Sequence, residues 1–167
     1  TPKKIKDRKY DILYTTWIDD AIQPGRSEWI CRLCSLSDRY TVHIDKNLKY
    51  PEYIALLRDS KLVLSYSRHG SIAVRVADAG AQGAIVLDPG EEIKQYFTPN
   101  EEYIPITEKD FAEQIDWYLK NEKTLQEMSD KFYKKVTENF EARKRFIEML
   151  RFAEKCLKGR KSERKFN

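Results

Sequence analysis

Residues 61–88 read KLVLSYSRHGSIAVRVADAGAQGAIVLD, and this stretch decides the fold. KLVLSYS (Lys61 to Ser67) is an apolar segment of strand character, and AIVL (Ala84 to Leu87) is a second apolar run. Between them lie a basic, glycine-containing loop, Arg68-His69-Gly70, and an alanine- and valine-rich segment with helical spacing. Strand, loop, helix and strand over so short a span predict a right-handed crossover between parallel strands. The loop then lies at the carboxyl ends of the strands, where open α/β sheets take up ligands.

The helix itself carries one narrow polar stripe. With Ser71 as N-cap, its hydroxyl serves an orphan N–H, and Ser71, Arg75, Asp78 and Gln82 share an arc of about 60°. Ile72, Val76, Ala77 and Gly80 face the core, and Gly80 with the alanines predicts a close approach of this helix to the sheet. The free N–H groups and the macrodipole favour an anion at Gly70–Ser71, to which Arg68 and His69 add positive charge or donors. Asp78 lies seven residues further in, about 10 Å along the axis, close to the separation between a nucleotide's terminal phosphate and its ribose. A carboxylate there can accept both ribose hydroxyls. The stripe reads equally as solvated surface, with Arg75 and Asp78 an i, i+3 ion pair worth about a few tenths of a kcal/mol. Spacing does not choose between the two.

Working outward, YDILYTT (Tyr10 to Thr16) and YTVHI (Tyr40 to Ile44) are strands, with a helix from Arg26 to Leu36 between them, entered through Pro24-Gly25. Pro51 opens a short helix whose buried face is Tyr53, Ile54 and Leu57. Asp88-Pro89-Gly90 is a turn, Glu91 to Phe97 a short helix, and YIPI (Tyr103 to Ile106) an edge strand, because Pro105 cannot donate. Thr107 and Asp110 form an approximate capping box for a helix to Lys120 with the stripe Phe111, Ile115, Tyr118 and Leu119. From Glu122 onward the chain reads as helix. Leu125, Met128, Phe132, Val136 and Phe140 form one stripe, Phe146, Leu150, Ala153 and Leu157 another, and Gly159 is the expected stop. The fold class is α/β: a Rossmann-like, doubly wound parallel sheet of about five strands with a C-terminal helical extension. The expected organisation is a basic N-terminal segment over 1–9, the Rossmann-like domain with its C-terminal helices over 10–158, and a basic tail over 159–167.

The 167 residues suffice for one domain with a real core. Charged residues make up 35% but the net charge is only +4, too mild and mixed to point to nucleic acid. Lys155 to Lys165 (KCLKGRKSERK) holds six Lys or Arg against one Glu, a pattern that suits a solvated helix end or an anionic membrane surface. No apolar run approaches the ~20 residues that span a bilayer. Three cysteines make no disulfide framework, so a reducing, cytoplasmic setting is expected. The chain begins at Thr1 without a Met, which suggests an excised piece of a longer protein.

Rival signals are weaker. Cys31 and Cys34 form a CxxC, but more than a turn inside their helix, where core or semi-buried cysteines are expected rather than a reactive pair. His43 and His69 do not combine with them in a compact zinc spacing. His69 alone is more often a loop residue than a catalyst. Asp19-Asp20 are adjacent, form no Asp-x-Asp motif, and lack the third-strand Asp of a phosphoacceptor pocket, since Ser65 to Ser67 occupy that place.

RVADAGAQGAIVLD resembles the signature of the nucleotide-sugar-binding half of GT-B glycosyltransferases, with Arg75, Asp78, Ala79 and Gly83 on the family pattern. EEIKQYFTPNEEYIPI resembles the segment that follows it, and FAEQIDWYLKNEKTLQEMSDKFYKKVTENFEARKRFIEML the terminal helices. The match covers roughly Tyr50 to Leu150 and is nearest to the spore-maturation-protein-like subgroup of group 1 glycosyltransferases. Asp78 stands where the family has a ribose-binding Glu, and Gly70 where many members have another Glu.

The resemblance implies a donor-binding domain that transfers a sugar from a nucleotide-diphosphate sugar when joined to an N-terminal domain. The implied donor-binding residues are Arg26, Arg68, His69, Gly70, Ser71, Arg75 and Asp78, with Arg26 and then Arg68 as the diphosphate ligands. Helix N–H groups and an Arg stabilise a leaving phosphate without a metal, so no cofactor or metal is expected. The catalytic base and acceptor site are expected from the second domain. The expected partners are thus a nucleotide sugar and that domain, with peripheral membrane contact through the basic tail and no nucleic acid. A non-catalytic Rossmann-like module, binding a nucleotide or a protein, is the alternative reading.

Overall fold

The computed structural model describes residues 1–16, 25–67, 72–140 and 142–163. Five strands, β1 (Tyr10–Thr15), β2 (Val42–Asp45), β3 (Ser60–Leu64), β4 (Ile85–Asp88) and β5 (Ile104–Pro105), form one parallel sheet in the order β2-β1-β3-β4-β5. Ile12 faces Val42 on one side and Leu62 on the other, and Leu62 in turn faces Ile85. The runs Ile12 to Tyr14, Leu62 to Leu64 and Ile85 to Leu87 are all fully buried. Such unbroken apolar runs belong to parallel strands covered on both faces.

The helices are α1 (Arg26–Cys34), α2 (Tyr50–Arg58), α3 (Val74–Ala81), α4 (Phe111–Lys120), α5 (Glu122–Asn139) and α6 (Ala142–Glu163). Right-handed crossovers place α1 on one face and α2 and α3 on the other. α4 joins the α1 layer, where Phe111 meets Trp29 edge-on at 6.0 Å and the Tyr40 hydroxyl donates to Asp116. α5 packs on α3 and β4. The sheet is therefore doubly wound, as expected, and its connections reverse direction between β1 and β3. A crevice opens there at the carboxyl ends of the strands.

Local signals set the element ends. Pro51 lies in the first turn of α2, and the Glu52 carboxylate accepts from the Lys49 amide at 3.0 Å. Thr107 and Asp110 exchange bonds ahead of α4: the Thr107 amide donates to Asp110 at 2.6 Å and the Asp110 amide to the Thr107 hydroxyl at 3.4 Å. β5 is an edge strand of two residues.

Four expectations change. α3 begins at Val74, with Ala73 rather than Ser71 at the N-cap, because Ala73 is extended (ψ 141°) and Ile72 is drawn onto the core ahead of the helix. Gly80 does mark a close approach, but to α5 rather than the sheet: a Cβ there would lie 2.5 Å from Val136 Cγ2 and 3.0 Å from Phe132 Cε1. Cys31 and Cys34 are exposed, because α1 turns Trp29 and Leu33 inward instead. α6 runs through Gly159 to Glu163, and Phe146, Leu150, Ala153 and Leu157 are exposed, whereas the α5 stripe from Leu125 to Val136 is buried.

The N-terminal nine residues are also tied into the domain. Ile5 is in the core, and its amide donates to Gln126 of α5 at 2.9 Å. Arg8 is buried and donates to the carbonyls of Lys3 (2.7 Å), Ser60 (2.8 Å) and Gln82 (2.8 Å). Burial pushes its pKa down to about 10, partly opposed by the nearby Asp59 carboxylate.

Candidate functional site

The crevice between β1 and β3 is spanned by Arg75. From the first turn of α3 its guanidinium reaches over the strand ends, donating to the Thr15 carbonyl and, at 3.3 Å, to the Leu64 carbonyl. Those are the last residues of β1 and β3. Its guanidinium carbon lies 5.6 Å from the centre of the Tyr14 ring. Burial lowers the Arg75 pKa, the Tyr53 and Tyr14 phenols oppose the shift, and the charge of Arg26 adds to it. Arg26 is the first residue of α1, so guanidiniums from opposite layers approach each other at this end of the sheet.

Asp78, one helical turn beyond Arg75, faces α2. The Tyr53 hydroxyl donates to its carboxylate. Burial raises the Asp78 pKa, while the Tyr53 bond and the Arg75 charge hold it down. Because α3 starts at Val74, Asp78 is four residues from the first helical residue, about 6 Å along the axis rather than 10 Å. Arg75, Asp78 and Tyr53 form one connected group, with Arg26 beside it. Gln82 is the C-cap of α3, and its backbone carbonyl accepts from Arg8 at 2.8 Å, at the end of the helix away from Arg75. Arg68, His69, Gly70 and Ser71, like Asp19-Asp20, lie outside the described residues.

A cleft of about 290 Å³ opens beside this group at the same carboxyl edge, lined among others by Gly25, Trp29, Tyr66, Pro89, Ile106 and Thr107. Gly25 enters α1 with φ 90°, a backbone conformation that calls for glycine, and the Tyr66 hydroxyl closes over it, 2.8 Å from where a Cβ would lie. At the carboxyl end of β4, Asp88 is buried and accepts from the Gly90 amide at 2.7 Å. Burial pushes its carboxyl up to about 6, against the pull of the Gly90 amide and the neighbouring Ser65 hydroxyl. Sequence reasoning read Asp88 only as a turn residue and Tyr53 only as a buried helix face. An Asp closing an apolar strand was the available signal for the first, and nothing in the sequence pairs Tyr53 with Asp78. Among the described residues no group of three or more His, Cys, Asp or Glu side chains is placed to hold a metal.

A family model described as glycosyl transferase-like matches residues 6–151. The chain belongs to this glycosyl transferase-like family. No curated protein matches it. Among solved structures, sucrose-phosphate synthase from Thermosynechococcus elongatus superposes with a TM-score of 0.70 at 12% identity, over 95% of this chain and 52% of that one. TarM gives 0.63 at 12% identity, over 86% of this chain and 35% of that one. The C-terminal domain of a glycosyl transferase group 1 family protein (LpcC) from Francisella tularensis gives 0.61 at 12% identity, over 81% and 88%. The fold of this family member is thus the Rossmann-like fold of GT-B group 1 glycosyltransferases and corresponds to the C-terminal domain. It spans about half of the synthase and about a third of TarM.

Proposed function

We propose that this domain binds the nucleotide-diphosphate sugar of a glycosyltransferase at the carboxyl edge of its sheet, and that a second α/β domain supplies the acceptor site and the catalytic base. The reading rests on the approach of Arg26 and Arg75 above the β1–β3 crevice, beside an open cleft, in a member of a glycosyl transferase-like family. Arg75 has a structural task in holding two carbonyls, so Arg26, with the N–H groups of the first turn of α1, takes the diphosphate. Arg68, His69, Gly70 and Ser71 complete the phosphate side, and Asp78, oriented by Tyr53, accepts from the ribose. Transfer breaks the bond between the sugar's anomeric carbon and the diphosphate oxygen while the acceptor bonds to that carbon and gives its proton to the base of the second domain, and charge develops on the departing phosphate oxygens. Arg26 and the amides stabilise that charge without a metal. The domain works in the cytoplasm, with its basic tail against an anionic membrane surface.

Calorimetric titration with UDP, GDP, ADP and their sugars tests the reading. The expected result is saturable binding of one nucleotide, unchanged by EDTA and weakened about tenfold or more by Arg26→Ala and by Asp78→Ala. Binding indifferent to both substitutions, or no binding by the folded protein with its companion domain present, overturns it.

A further inference from the structure

A buried carboxyl sits directly behind the lining of the cleft at the carboxyl edge. Asp88 ends β4, where the Ser65 amide donates to the Leu87 carbonyl at 2.8 Å and the Ile106 amide to the Asp88 carbonyl at 3.2 Å. Tyr66 after Ser65, Pro89 after Asp88, and Ile106 itself all line the cleft. Among the described residues, one backbone N–H, that of Gly90, donates to the carboxylate, at 2.7 Å. Two hydroxyls near it are fully buried without a hydrogen-bond partner: Ser65, just past β3, and Tyr103, just before β5. A carboxylate can only accept, whereas a neutral carboxyl also donates, and an orphaned buried hydroxyl can take that bond.

Burial opposes the charge on Asp88 most strongly, and Glu92, from the helical turn Glu92–Gln95, adds to that; the Gly90 amide, the Ser65 hydroxyl and the Arg75 charge favour it. Tyr103, pushed up to about 12 by burial and by Asp88 and Glu91, stays neutral. The link to Arg75 is short, because Arg75 donates to the Leu64 carbonyl at 3.3 Å and Leu64 precedes Ser65. An anion set against Arg26 and Arg75 offsets the field of Arg75 at Asp88 and adds repulsion of its own. We propose that Asp88 couples donor binding to a proton: as the diphosphate settles at the carboxyl edge, Asp88 takes one proton from solvent and, as the neutral acid, donates to an orphaned hydroxyl behind the cleft. This coupling rests on the donor-site reading above and adds to it control by pH. Its sign is fixed. Affinity is highest where Asp88 is already protonated, below about pH 6, and falls as the pH rises through about 7. Asp78 acts in the opposite sense, because its ionised form is the one that accepts from the ribose.

Calorimetry of the protein with its companion domain tests it, with the UDP, GDP and ADP sugars as probes because their diphosphate diesters do not titrate near neutrality. At about pH 6.5, titrations in two buffers of different ionisation enthalpy should show net proton uptake, and affinity should fall about tenfold from about pH 5 to about pH 8. Asp88→Asn, which stays neutral throughout, should show neither effect. In the unsubstituted protein, the Asp88 carboxyl chemical shift should titrate about one pH unit higher with the site saturated than with it empty. Binding independent of pH would overturn the coupling and leave the donor site standing. Proton uptake that persists in Asp88→Asn would do the same and assign the proton to another group, such as His69. An Asp88 titration unmoved by the nucleotide sugar would also overturn it. No binding at any pH would overturn the donor-site reading and the coupling together.

Discussion

Arg75 donates to the carbonyl of Thr15, joining the first turn of α3 to the last residue of β1 across the point where the sheet reverses its winding. Its second bond, to Leu64, fixes the neighbouring strand end. One side chain thus sets the width of the crevice. A lysine at this position would offer one ammonium in place of the fork and could not serve both carbonyls at these angles. Arg75→Lys should cost about 2–4 kcal/mol, read as a lower urea midpoint with an unchanged slope, because at least one buried acceptor is left unpaired. A loss below about 0.5 kcal/mol would show that the clamp is not needed.

Tyr53→Phe removes the donor that stabilises the Asp78 carboxylate. The Asp78 pKa, already raised by burial, should rise further, since the Tyr53 bond is the first of the two effects holding it down. Carbonyl chemical shifts followed through a pH titration measure this directly. The stability loss at pH 7 should be modest, about 1 kcal/mol. An Asp78 pKa unmoved by the substitution would mean that the bond carries no weight.

Asp88 gives the domain a pH dependence of definite sign. Its folded pKa of about 6 lies above the ordinary 3.8, so the native state holds the proton more tightly than the unfolded chain. Stability from this group is therefore complete below pH ~4 and lost as the pH rises through 6. Asp88→Asn keeps an acceptor for the Gly90 amide without the charge. At about pH 8 it should stabilise by about 1–3 kcal/mol, and the gain should vanish near pH ~4. Urea curves at the two pH values decide, and a gain equal at both would refute the assignment.

Gly80→Ala opposes helix propensity to packing. Alanine gains about 1 kcal/mol in a helix interior, but its methyl would stand 2.5 Å from Val136 Cγ2. Overpacking should win, for a net loss of about 1–3 kcal/mol. The double variant Gly80→Ala/Val136→Ala should recover part of that loss, a coupling seen only between residues in contact.

The parallel sheet was legible because its central strands are unbroken apolar runs and each crossover is bounded by proline, glycine or a capping pair. Thr107 with Asp110 and Pro51 are examples that the structure reproduces. The site was legible only in part. Arg75 and Asp78 could be placed on one helix face, but their partners Thr15 and Tyr53 come from other elements, and no periodicity connects residues across a sheet. The onset of α3 was misplaced because Ser71 is a better capping residue than Ala73, and burial of Ile72 outweighed that local preference. The helical wheel of α6 resembles that of α5, so pattern alone could not tell a covered stripe from an open one. Arg8 was hidden for a related reason: among its basic neighbours nothing in the sequence marks it as the one that is buried.

Arg8 also bears on the order of assembly. Its acceptors belong to Lys3, Ser60 and Gln82, so the full set exists only after β3 and α3 have docked. The first nine residues are therefore predicted to act as a latch that closes on β3 and α3 already docked, after the rate-limiting barrier, which φ-values for Arg8 variants near zero would confirm. Loosening such a latch speeds unfolding far more than it slows folding. In the cell, it would shorten the lifetime of the native state while leaving the speed of its formation nearly untouched.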